Sequence, residues 1–146
     1  MAEKNAHVMD YVNDMMVLVK SYESFFRANA GDLNISVGEV PILLSIFRNE
    51  GLNQIDLVRK FHVTEANISK TTKNLLNKGF IIKEIDKENN TKKLLFLTDK
   101  GKEACNKLLD SYNVWKDDVI QDVPYEELIA FSQTLKKLAR NSMDSL

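Results

Sequence analysis

One stretch, residues 52–101, leaves this chain few ways to fold: LNQIDLVRKFHVTEANISKTTKNLLNKGFIIKEIDKENNTKKLLFLTDKG. It reads as helix, tight turn, helix, then two short apolar strands around a lysine- and asparagine-rich hairpin, closed by a glycine. That order is a helix-turn-helix followed by a wing. In the second helix Ile68, Thr72 and Leu75 lie four and three apart and form the inward line. Glu65, Ala66, Asn67, Ser69, Lys70 and Lys73 are left for the outer face and the N-terminal end.

Those outward residues carry the groups that nucleic acid offers partners for. A helix entering the major groove puts its first turns on base edges. Asn67 can pair with adenine, Lys70 can reach guanine acceptors and Ala66 can touch a thymine methyl. Thr64, which caps this helix after the His62–Val63 turn, and Ser69 suit phosphates, as do Asn53 and Gln54 at the start of the preceding helix. The same pattern also describes a solvated polar face, so the hairpin that follows matters. Its tip, Asp86 to Lys93, offers Lys87, Asn90, Thr91, Lys92 and Lys93 to a minor groove, or forms a flexible hydrophilic loop.

Charge is segregated in the way this reading requires. The whole chain of 146 residues has net charge −1. Residues 51–100 hold ten Lys and Arg against six Asp and Glu, and the acidic excess lies elsewhere. With 44% hydrophobic residues and few Gly and Pro, the expectation is a mainly α chain with a small two- to three-stranded β-wing.

On either side of residues 32–101 lie helical arms, 1–31 and 102–146, read as dimerisation elements. Val8, Val12, Met15, Val19, Tyr22 and Phe26 make one stripe, with Tyr11, Leu18 and Phe25 seven apart beside it. Two adjacent stripes imply a helix gripped from both sides, by its own domain and by a second subunit. Gly31 is expected to end that helix in a left-handed turn. Ser36 and Glu39 have capping-box spacing and open the next helix, through Ile42, Leu43, Ile46 and Phe47. The inward line of the helix after Asn53 is expected to be Ile55, Val58 and Phe61, with Leu57 beside it. Thr98 caps a helix with the stripe Cys105, Leu108, Leu109, Tyr112 and Trp115. After a break at Asp122–Pro124, the last helix shows Leu128, Phe131, Leu135 and Leu138.

The element order, the helix exit LLNKGFI and above all LTDKG after the second strand resemble the MarR family of transcriptional regulators. The resemblance spans nearly the whole chain. It implies a homodimer, a winged helix-turn-helix in each subunit, binding to a pseudo-palindromic DNA operator, and repression more than activation. It also implies release by a small aromatic or phenolic effector held where the first helix meets the winged domain. Tyr11, Met15, Lys20, Tyr22 and Phe26 are the candidates to line that pocket, although core or dimer packing suits the apolar ones and a solvated surface suits Lys20. Aligned on LTDKG, the family's Asp-Arg-Arg at the wing tip falls on Asn89-Asn90-Thr91, so the minor-groove arginine is absent.

Other classes find little support. No apolar run is long enough to span a membrane, and the N-terminal sequence lacks the apolar core of a secretory signal. One cysteine fits a cytoplasmic protein, and its place on an apolar stripe reads as a structural thiol more than a redox switch. His7, His62 and Cys105 show no metal-ligand spacing, and no catalytic set or cofactor motif is present. The alternative to a DNA-binding regulator is a winged-helix module that binds protein or RNA.

Overall fold

The computed structural model describes residues 2–145, with side chains placed for residue 7 and from residue 9 onward. The described chain runs α1 (Ala2–Ala30), a short 3-10 turn (Gly31–Leu33), α2 (Val40–Arg48), β1 (Leu52–Asn53), α3 (Gln54–Phe61) and α4 (Glu65–Asn77). It continues with β2 (Ile81–Ile85), β3 (Lys93–Leu97), α5 (Asp99–Val119) and α6 (Tyr125–Asp144). The antiparallel sheet has the order β1-β3-β2, with Ile81 opposite Leu97, Lys83 opposite Leu95 and Ile85 opposite Lys93. The mainly helical architecture with a three-stranded wing is the one expected. The chain forms two compact units that divide between Asn113 and Val114.

The first unit has its core where the helix-turn-helix meets the sheet. Leu43 and Ile46 of α2, Leu57 of α3, Ile68, Thr72 and Leu75 of α4, and Leu95 of β3 are all fully buried. Each such aliphatic side chain contributes about 1.5–3 kcal/mol relative to exposure. The inward line of α4 is the one its spacing predicts. That of α3 is not: Leu57 is the buried residue, Val58 and Phe61 are half-buried, and Ile55 is 52% exposed. An eight-residue helix presents only about two turns to the core, and Leu57 alone points straight into it.

Two further expectations are corrected. Gly31 does not take the left-handed turn after α1; it lies in the 3-10 turn, and Asn34 has the positive φ of 57°. Asparagine tolerates that conformation because its short polar side chain can bond locally. Ser36 and Glu39 form only half a capping box. The Ser36 N–H donates to the Glu39 carboxylate at 3.1 Å, but the residues between them form a turn and α2 begins only at Val40. The buried Glu39 instead forms an ion pair with Lys78 at the end of α4, 2.9 Å and 3.0 Å from Nζ to its two oxygens.

The remaining helix signals hold. Asn53 and Asp56 form a complete capping box at α3. Thr64 caps α4 by accepting from the Asn67 N–H at 3.1 Å. Gly79, at φ 79°, turns the chain out of α4 into β2. The Thr98 hydroxyl accepts from the Gly101 N–H and donates to the Gly79 carbonyl, so one side chain ties the start of α5 to the end of α4. Gly101 allows this approach, since a Cβ there would collide with the Phe80 carbonyl oxygen.

On α1, only the C-terminal part of the predicted stripe packs against its own unit: Phe26 and Ala30 are buried and Tyr22 is half-buried. Val12, Met16, Val17 and Val19 are exposed, and Val8 lies outside the described side chains. In the second unit, α6 likewise leaves Ile129, Phe131 and Leu138 exposed.

Candidate nucleic-acid interface

The outward side of α4 is built by exclusion. With Ile68, Thr72 and Leu75 buried, Glu65, Ala66, Asn67, Ser69, Lys70 and Lys73 all emerge exposed, as does the Thr64 cap. None of the side chains of Asn67, Ser69, Lys70 and Lys73 is paired within the described chain. At thirteen residues α4 is about 20 Å long, enough to lie along a major groove.

The pose of α4 is fixed by polar contacts as well as by the core. The Gln54 amide donates to the Thr72 hydroxyl at 3.0 Å, and that hydroxyl donates on to the Ile68 carbonyl. Lys78 holds the far end through Glu39. Two sequence candidates are thereby already occupied. The Asn53 side-chain carbonyl, nearly buried, accepts from the Asp56 N–H at 2.9 Å, and the Gln54 amide braces α3 against α4.

The wing brings its candidates to two places. Thr91, Lys92 and Lys93 line a cleft of about 280 Å³ opposite Asn53, Gln54 and Ile55. Lys87 and Asn90 sit exposed in the tip loop. Lys83, diagonal to Lys93 on the same face of the hairpin, has its ammonium pulled below the usual lysine range by burial and by the charge of Lys93.

The five effector candidates are not brought together in the chain. Tyr22 lines a cavity of about 270 Å³ with Pro41, Leu44, Ser45, Arg48, Lys60, Phe61, Leu109 and Tyr112. Phe26 is beside it, its ring 4.9 Å from that of Tyr22, but buried in the core. Met15 and Lys20 lie on an open surface of α1 with Val12 and Val19, and Tyr11 is 60% exposed. Of the five, Tyr22 alone lines this cavity. Arg48 and Lys60 were missed, although Pro41, Leu44, Ser45 and Arg48 follow the i, i+3, i+4, i+7 spacing of one helix face. Lys60 Nζ donates to the Ser45 hydroxyl at 3.0 Å, leaving further donors toward the cavity. Tyr22 is held above the usual phenol range by burial and by Tyr112, so it is neutral.

Cys105 is buried, its thiol 3.9 Å from the Leu43 carbonyl and pushed up to about 11 by burial. A protonated, enclosed thiol is a poor nucleophile. Among the described residues no helix is long and apolar enough to cross a membrane, and no cluster of three His, Cys, Asp or Glu residues could hold a metal.

Comparison with known proteins agrees with this geometry. Residues 35–92 match the family model described as the MarR family. An HTH-type transcriptional regulator of Bacillus subtilis, YybA, is 29% identical over 95 residues, covering 65% of this chain and 63% of its own length. Among solved structures, a MarR family regulator from Listeria monocytogenes complexed with 26mer DNA superposes with a TM-score of 0.84 at 27% identity, covering 92% of this chain and 89% of that one. The crystal structure of MarR gives 0.74 at 29% identity, with 90% of both chains covered. Family model, relatives and fold thus agree with the helix-turn-helix and wing: over residues 35–92 the chain resembles the MarR family, and its fold is shared with solved MarR-type regulators.

Proposed function

We propose that this chain is a sequence-specific, duplex DNA-binding repressor that acts as a homodimer in the cytoplasm. The observation that carries the reading is α4. Its inward line is fully buried, its pose is fixed at Thr72 and Lys78, and its outward first turns offer unpaired amide, hydroxyl and ammonium groups. Such groups read base edges and hold phosphates. The related Listeria monocytogenes structure with bound DNA supports the same use of the fold. The bare apolar residues of α1 and, separately, of α6 support the dimer, since a soluble helix seldom leaves such residues uncovered. Two α4 helices would then enter successive major grooves about 10 bp apart on a pseudo-palindromic operator and block the promoter.

The test is selection of bound duplexes from a random pool, then fluorescence anisotropy with the selected and scrambled sequences at two salt concentrations. A regulator prefers the selected duplex by about a thousandfold or more and loses affinity steeply with salt. A flat salt response with equal binding to both duplexes would favour the protein- or RNA-binding module.

The cavity around Tyr22 favours an effector in addition. Its two tyrosines, Leu44 and Phe61 suit a planar apolar ring, and Arg48 and Lys60 suit a carboxylate. An aromatic acid such as salicylate would bind there and release the DNA. Titration should show Arg48→Ala weakening the acid while leaving DNA affinity intact, and equal binding to both proteins would sink this site.

A further inference from the structure

We propose that the wing of this chain holds DNA by its base and not by its tip. Lys92 and Lys93 grip a backbone phosphate across the cleft from α3, and the loop of residues 86–91 reads no bases. The inference rests on the DNA-binding reading above and specifies where in the chain sequence discrimination resides.

The tip has used its own polar groups. The Asp86 carboxylate accepts from the Glu88 N–H at 2.9 Å. The Asn89 side-chain carbonyl accepts from both the Thr91 N–H and the Thr91 hydroxyl, at 3.2 Å and 2.7 Å. Backbone bonds from Asp86 N–H to the Lys92 carbonyl and from Lys92 N–H to the Asn89 carbonyl close the loop. What remains is the amide of Asn90, the amide nitrogen of Asn89, and one cation, Lys87, between the carboxylates of Asp86 and Glu88. A minor groove concentrates negative potential, which suits inserted cations and disfavours a loop with two carboxylates.

The positive charge sits lower on the hairpin. Lys92 and Lys93 line the cleft of about 280 Å³ with Gln54 and Ile55. Lys83 adds a third ammonium on the face of Lys93. None of the three has an ion-pair partner within the described chain. Neighbouring ammonium groups that form no ion pair repel one another, and an anion relieves that repulsion. The start of α3 supplies a wall more than the attraction, because the capping box occupies the N–H groups of Asn53 and Asp56 and puts the Asp56 carboxylate there. A phosphodiester is the anion that fits the DNA-binding reading, since the cleft lies in the same unit as the exposed face of α4.

The test compares the unaltered protein with K92A/K93A and Asn90→Ala, using the selected duplex, a scrambled duplex, and selected duplexes with A·T exchanged for G·C in the flanks. K92A/K93A should weaken binding to all duplexes by the same factor and flatten the log affinity–log salt slope by about 0.9 per phosphate released. Asn90→Ala and the flank exchanges should each change affinity less than about fivefold, the least a misread base pair costs. An unchanged slope in K92A/K93A, or a flank preference that Asn90→Ala abolishes, overturns the proposal. If the unaltered protein lacks salt-dependent duplex binding, the regulator reading fails and this one with it. Specific binding with an intact slope in K92A/K93A defeats this one alone. Asn90, Lys92 and Lys93 are all exposed, so matching thermal unfolding curves confirm that folding is not what changed.

Discussion

The Glu39–Lys78 pair should be strongly asymmetric when its members are removed one at a time. Glu39 has a side chain only 6% exposed, whereas that of Lys78 is 26% exposed. Lys78→Met leaves a nearly buried carboxylate whose remaining partner among the described residues is the Ser36 N–H. Stranding a buried charge costs about 3–5 kcal/mol, and the partial exposure of the pair places the loss near the lower figure. Glu39→Gln leaves an ammonium that can swing into water and an amide that can still accept, so about 1 kcal/mol is expected, the scale of one hydrogen bond. The double variant Glu39→Gln/Lys78→Met removes both charges and should be less destabilised than the sum of the singles by about 1–2 kcal/mol. Urea unfolding followed by circular dichroism at one fixed protein concentration measures all four proteins on one scale. Additivity within about 0.5 kcal/mol, or a larger loss from Glu39→Gln than from Lys78→Met, would refute the reasoning.

Gly101→Ala should destabilise the chain by about 2–3 kcal/mol in the same assay, as overpacking does. The new Cβ would meet the Phe80 carbonyl oxygen, which cannot retreat without losing the 3.1 Å bond from the Thr98 N–H. Thr64→Ala should cost about 1 kcal/mol through loss of the α4 cap, and Thr64→Ser should restore most of it. For Cys105, burial raises the folded thiol from 9.0 to about 11. Its contribution is therefore complete below pH 9 and is lost as pH rises from 9 to 11. Relative to Cys105→Ala, the unaltered protein should lose about 2 kcal/mol across that window. The folded protein should also resist thiol-reactive dye at neutral pH, and rapid labelling without unfolding would contradict the burial.

Much of the fold was legible because local rules and the global fold agree in residues 52–101. The Asn53 and Thr64 caps, the Gly79 stop and the Ile68–Thr72–Leu75 line act within a turn or two of chain, and spacing reveals such features. The exposed face of α4 followed directly, since burying one line of a helix exposes the other. Where competing local solutions existed, the sequence misled. Asn34 took the left-handed position expected of Gly31, and Leu57 displaced the line through Ile55.

What the sequence determined by itself was therefore the order of elements, the charge segregation and the identity of the outward residues of α4, because each depends on nearest neighbours along the chain. What only the tertiary structure decided were the long-range pairings: Glu39 with Lys78, Gln54 with Thr72, Lys60 with Ser45, and the wing lysines opposite the start of α3. These join residues separated by 15 or more positions, up to 39 for Glu39 and Lys78. A polar side chain carries no periodic mark of its partner, so such pairs appear only when the packed helices bring them within hydrogen-bonding distance.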